Sequence, residues 1–148
     1  KIDYENRSEE RGRYEGRRFY LERFKPITRV EMQIGEFGRI YAIDDWILDN
    51  VKSVKNREGY DIFMEIYEVE ELLTVINRVL VGVKGKPARS EELAEEYLPL
   101  DEFFKSRGYG YDEDYFEGLE DMKIALKIIM DLKAEDVDIE YIKFHRSF

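Results

Sequence analysis

Hydrophobic positions along the chain fall into runs whose spacing switches between the helical period and strict alternation. From Arg39 to about Val51, Ile40, Ile43, Trp46, Ile47 and Val51 recur at helical spacing. Asn56 to Gly59 is a polar turn, and the segment Tyr60 to Glu68 reads as a strand. Its Ile62, Met64 and Ile66 share one face, and its β-branched and aromatic content suits a pleated surface. A helix is expected from about Val69 to Leu80, with Glu70 and Glu71 early and Arg78 late, the polarity a helix dipole favours. Gly82, Gly85 and Pro87 mark a loop. Ser90 is placed to N-cap a short acidic helix running to Pro99. Leu100 to Gly110 reads as irregular. The last major helix is expected over Asp114 to Lys133, lined by Phe116, Leu119, Met122, Leu126 and Ile129, with Asp112 as its cap. Val137 to Phe144 alternates strictly and is the cleanest strand signal in the chain.

Upstream, Phe19 to Phe24 and Ile27 to Ile34 have the composition of short strands, while residues 1–18 are highly charged and lack an apolar stripe. The pattern therefore predicts an α+β fold, a single domain with three to four helices packed with a small antiparallel sheet. The domain is expected over 19–148, behind a charged, mobile N-terminal arm over 1–18. Arg11, Arg13, Arg17 and Arg18 around Tyr14 would suit a nucleic-acid arm, but Glu5, Glu9, Glu10 and Glu15 mix the charge and favour a solvated terminus.

Composition narrows the classes. The chain has 148 residues, 43% hydrophobic and 39% charged, enough apolar material for a core in the ordinary single-domain range. No apolar run approaches a membrane span and no secretory signal is recognisable, so no membrane contact is expected. With no cysteine there are no disulfides and no thiol chemistry, which suits a cytosolic setting. Glu, Lys and Arg are abundant beside a single glutamine, Gln33, and a single histidine, His145, a leaning shared by thermophilic proteins. The net charge is −10 and is uneven: residues 1–39 sum to +2, residues 40–90 to −2 and residues 91–148 to −10. Such a surface repels nucleic-acid backbones, so direct nucleic-acid binding is not expected, and it suits a partner with a basic protein surface.

No catalytic set emerges. His145, with Ser147 beside it, reads as a strand-end histidine, because a triad would need that segment held in a cleft. The acids Asp112, Glu113, Asp114 and Glu117 fail the calcium-loop template, with Phe116 and Glu117 at its fifth and sixth positions, and fit helix-start chemistry instead. Asp45 and Asp49 share a helix face at i, i+4 beside Asp44. Gly82 to Lys86 lacks the glycine spacing and the hydroxyl residue of a phosphate loop. No metal or cofactor is expected. The distinctive stretch is Gly108 to Phe116, in which tyrosines alternate with glycines and acids. Tyrosine offers wide contact area with few rotors, as interfaces require. Protein-binding residues are expected at Tyr109, Tyr111, Asp112, Asp114, Tyr115 and Glu117, with Trp46; the alternative is that Tyr115 and Phe116 form the first core turn of the last helix.

The run Ile34-Gly35-Glu36-Phe37-Gly38-Arg39-Ile40-Tyr41-Ala42-Ile43-Asp44-Asp45-Trp46-Ile47 resembles a motif of small, mostly uncharacterised phage-encoded accessory proteins, in which Val-Gly-Tyr-Trp-Arg-Lys leads into a helix reading Ala-Ile-His-x-Trp-Phe. The pieces that follow in that family resemble Tyr60 to Leu80, Leu98-Pro99, Phe103-Phe104 and Tyr111 to Glu117, a run reading Tyr-Asp-x-x-Tyr-Tyr-Glu in the family. The likeness covers roughly residues 31–132. Phe37, Gly38 and Asp44 stand where the motif has Trp, Arg and His, so no catalytic residue is carried over. The resemblance implies a viral accessory protein acting in the host cytoplasm.

The reading reached from sequence is a non-enzymatic phage accessory protein. It binds a host protein of the transcription or defence machinery, RNA polymerase among the candidates, and modulates or inhibits it. The alternatives are a metal-dependent enzyme on nucleic acid or nucleotides using Asp44, Asp45 or Glu65, a small-ligand sponge with an aromatic pocket near Trp46 and Tyr111, and a virion structural protein.

Overall fold

The computed structural model describes residues 34–35, 40–83 and 86–146, all within the unit Gln33–Phe148. The arm expected over 1–18, the strand expected at Phe19 to Phe24 and that at Ile27 to Ile34 up to its last residue lie outside the described residues.

Helix α1 (Tyr41–Asn50) is followed by strand β1 (Asp61–Met64), helix α2 (Ile66–Val79), strands β2 (Val81–Val83) and β3 (Lys86–Ala88), helices α3 (Glu91–Tyr97), α4 (Glu102–Lys105) and α5 (Glu113–Ala134), and strand β4 (Ile142–His145). Two antiparallel pairs result. β1 pairs with β4 in the register Asp61↔His145 to Met64↔Ile142, and β2 pairs with β3 from Val81↔Ala88 to Val83↔Lys86. This is the α+β class the periodicities predict.

The core follows from the helical stripes. Ile43 and Ile47 of α1, Val69, Leu72, Ile76 and Val79 of α2, Ala94 of α3 and Leu119 of α5 are essentially excluded from water, and Leu98 joins them from the α3–α4 connection. Each of the Leu, Ile and Val side chains contributes about 1.5–3 kcal/mol on burial. Helix α2 is central, packing against both α3 and α5. The start of α1 approaches α5 closely, with Ile40 lying over Gly118. A Cβ at that glycine would stand 3.0 Å from Ile40 Cγ1.

The structure differs from the sequence expectation in four places, and the first three have a local cause. The strand expected over Tyr60 to Glu68 is only four residues long, because Glu68 Oε1 accepts the Glu65 N–H at 2.8 Å and turns the chain into α2 at Ile66. The helix therefore starts three residues before Val69. The strand expected from Val137 is shortened to Ile142–His145 because β1 offers only four partners. Within the stretch expected to be irregular, Asp101 caps the single turn α4, its carboxylate accepting the Phe103 N–H at 3.3 Å. That turn is closed by Gly108 N–H to Lys105 O and Tyr109 N–H to Phe104 O, both 3.1 Å. The closure requires Gly108 at φ +91°, a conformation suited to glycine. The loop expected around Gly82 and Pro87 is the β2–β3 pair.

Helix ends elsewhere match their signals. Ser90 Oγ accepts the Leu93 N–H at 3.2 Å, and Asp112 accepts the Tyr115 N–H at 3.0 Å. α5 closes with Asp136 N–H to Lys133 O and Val137 N–H to Leu132 O, both 3.1 Å, with Asp136 left-handed at φ 61°.

Candidate protein-binding surface

The junction of α3, α4 and α5 is assembled around two phenols. Tyr115 is buried and donates to Leu98 O at 2.8 Å. Burial pushes its pKa well above the ordinary phenol value, with Tyr111 and Glu95 adding to the shift. Tyr111 is half-buried, packs edge-on to Tyr115 at 5.0 Å, accepts the Leu100 N–H and donates to Glu95 Oε1, both at 3.0 Å. Lys105 binds the same Glu95 oxygen at 2.7 Å and lies 5.8 Å from the centre of the Tyr111 ring. The lysine and then the phenol hold the Glu95 carboxyl below its usual range. Tyr111 and Tyr115 are thus engaged inside the molecule, while Asp112 is exposed and caps α5. Tyr115 in particular has little surface left for a partner, because its ring fills the first core turn of α5.

Tyr109, Asp114 and Glu117 are exposed. Tyr109 is 47% exposed and belongs to an aromatic ledge. Tyr41 of α1 stacks on Phe104 at 4.0 Å, and Tyr109 meets Tyr41 edge-on at 5.0 Å and Phe104 at 6.0 Å. Phe103, 53% exposed, lies beneath the Arg107 guanidinium, whose carbon is 3.5 Å from the ring centre. Trp46 is half-buried against the core rather than part of the ledge.

Carboxylates adjoin this ledge. Asp45 and Asp49 follow Tyr41 at successive i+4 positions on α1. Arg57 bridges them, 2.8 Å from Asp49 and 3.8 Å from Asp45. Desolvation raises the Asp45 pKa, with repulsion from Asp101, the cap of α4, as the next cause. Residues 91–121 hold twelve carboxylates against Lys105 and Arg107, whereas residues 122–148 hold five acids and five bases. The whole net charge of the C-terminal part therefore falls on α3, α4 and the first turns of α5. Within this region only Glu120 is partly shielded, and the other carboxylates are exposed.

The acids weighed for metal chemistry are placed differently. Asp44 is held by Arg146, which donates from Nε to Oδ1 at 2.9 Å and from Nη2 to Oδ2 at 3.0 Å. The other terminal nitrogen of Arg146 donates to Arg57 O at 2.7 Å and Gly59 O at 2.8 Å, and the side chain is buried. Glu65 sits at the start of α2. Among the described residues no group of three or more His, Cys, Asp or Glu side chains is placed to hold a metal ion. His145 Nδ1 lies 2.7 Å from Asp61 Oδ1 across β4 and β1, and this bond holds the Asp61 carboxyl below its ordinary range. Tyr41, Phe103, Phe104 and Arg146 were not among the site residues expected from sequence, although Phe103-Phe104 entered the family resemblance. A Phe-Phe pair followed by Gly-Tyr-Gly was the available signal for the ledge.

No helix among the described residues is long and apolar enough to cross a membrane. Comparison with protein-family models, curated proteins and solved structures finds no match to this chain.

Proposed function

We propose that this chain is a non-enzymatic accessory protein of phage type that binds a basic surface of a host protein and modulates that protein's activity. The observation that carries the reading is the concentration of exposed carboxylates on α3, α4 and the start of α5, next to the exposed rings of Phe103 and Tyr109. Carboxylates around an aromatic patch offer long-range attraction to a cationic partner and short-range contact area for it. The resident Arg107, stacked on Phe103, is an internal example of the contact an arginine would make there.

The test is affinity capture from host lysate with the tagged protein, repeated with Asp114→Lys and Glu117→Lys combined. The reading expects a stoichiometric partner retained by the native protein and lost by the reversed one. Retention of the same partner by both proteins would remove the acidic surface from the interaction, and a column with no partner would overturn the reading.

A further inference from the structure

Helix α5 buries one face through Tyr115, Phe116, Leu119, Met122, Ala125 and Leu126. Its opposite face is exposed along its whole length and has a regular sequence. Glu117, Asp121, Ile124, Ile128 and Asp131, with Glu135 at the C-cap, follow one another at spacings of four, three, four, three and four residues, and all six are exposed. That is the spacing of a coiled-coil seam. Ile124 is 61% and Ile128 38% exposed, among the few large aliphatic side chains left in water among the described residues. The second half of α5 carries apolar residues on nearly every side, with Ile124, Ala125, Leu126, Ile128, Ile129, Met130 and Leu132 in nine positions. Lys123, Lys127 and Asp131 hold the remaining side, so the helix carries an apolar pair facing solvent in addition to the stripe it buries.

The order of the seam decides what covers it. It reads Glu, Asp, Ile, Ile, Asp, Glu and is symmetric about its midpoint. Two copies packed antiparallel about that midpoint would set Asp121 against Asp131 and Glu117 against Glu135. Two copies packed in parallel would set every carboxylate against its twin. Both arrangements place like charges face to face, so self-pairing is opposed in either direction. A seam with reversed charges is matched in both directions.

We propose that the outer face of α5 is a docking seam for an amphipathic helix of a partner protein, one that presents two aliphatic residues flanked on each side by two Lys or Arg residues at the same spacings. The inference rests on the protein-binding reading above, shares Glu117 with that acidic surface, and adds to it the outer face of α5 and the secondary structure of the segment that fills it. The two isoleucines supply the dry centre of the contact. The four acids fix its register and reject acidic helices. The seam spans about 27 Å, enough for five turns of a partner helix.

The probe is a synthetic helical peptide of about 21 residues with Lys, Lys, Leu, Leu, Lys and Lys along one face at these spacings, labelled for fluorescence anisotropy. A scrambled peptide of the same composition serves as the charge control. The expected result is saturable binding of the patterned peptide, weaker binding of the scrambled one, and a loss of at least about tenfold in affinity for Ile124→Lys. Asn77→Ala, exposed on α2 and outside both surfaces, is expected to leave that affinity unchanged. Equal binding of the two peptides, or undiminished binding by Ile124→Lys, would overturn the proposal. So would sedimentation of the native protein as a dimer that Ile124→Lys dissociates, since the seam would then belong to a second copy. If the peptide fails while the charge-reversed variant still loses its lysate partner, the seam is refuted and the protein-binding reading stands.

Discussion

Two regions of this molecule use charged side chains in opposite ways. Around α1, β1 and β4 the decisive charges are turned inward. Arg146 is buried against Asp44 and two loop carbonyls, and Glu68, 1% exposed, accepts N–H groups from Glu65 and Lys52, each at 2.8 Å. At the α3–α4–α5 junction the neutral phenols of Tyr111 and Tyr115 take that inward role, and the carboxylates are left outside. A buried charge with every partner in place fixes one geometry and tolerates no change of partner. An exposed carboxylate contributes little to the fold and is available for recognition. The first region is therefore expected to govern stability and the second to govern binding.

Mutations can break that division at several points. Arg146→Ala leaves the half-buried Asp44 carboxylate and the carbonyls of Arg57 and Gly59 without their donor. Its expected cost is about 3 kcal/mol, read as a lower urea midpoint. Arg146→Lys is expected to recover little of this, because an ammonium cannot reproduce the fork. Glu68→Ala removes the acceptor of two backbone N–H groups and is expected to cost about 2 kcal/mol in the same assay. In the second region, Tyr115→Phe deletes only the bond to Leu98 O, and thermal unfolding should register about 1 kcal/mol.

Asp45 sharpens the comparison through pH. Burial and the neighbouring Asp101 raise its pKa, so the folded state holds the proton more tightly than the unfolded chain. Stability from this group is complete in acid and is lost as the pH rises through the carboxylate range. Asp45→Asn is accordingly expected to raise the Tm at pH 7 and to give no gain at about pH 3. The smallest stability effect is expected from Asp114→Lys and Glu117→Lys, within about 0.5 kcal/mol, although partner capture should collapse. A large stability loss from these two exposed positions would end the division of labour between the regions.

The parts of this architecture legible in the sequence are those determined by neighbours along the chain. α1, α3 and α5 follow from apolar spacing and from caps at Ser90 and Asp112, all read within one or two helical turns. Failures occurred where one residue served two elements. Glu68 both opens α2 and binds Lys52 in the preceding loop, so a pattern continuing as a strand to Glu68 was cut at Met64. β4 was shortened in turn, because alternation marks a segment able to pair while the partner decides how much of it does. The candidate site was partly legible. The Gly-Tyr-Gly signal led to Tyr109, but sequence could not tell that Tyr115 faces inward while Phe103 faces water. Arg146 carried no local signal, since its partner Asp44 is 102 residues away.

That separation has a kinetic consequence. The contacts between α2 and α3 join segments close in sequence and those between α2 and α5 span intermediate separations, whereas docking β4 on β1 and inserting Arg146 beside Asp44 close the longest loops among the described residues. Long-range closures carry the largest entropic barrier and tend to form after the local ones. If the arginine fork is absent from the transition state, removing it leaves the refolding rate nearly untouched and appears almost wholly as faster unfolding. The fork then acts as a latch. It sets how long a folded molecule survives more than how quickly one is made, and a stopped-flow chevron of Arg146→Ala would display this as a displaced unfolding limb alone.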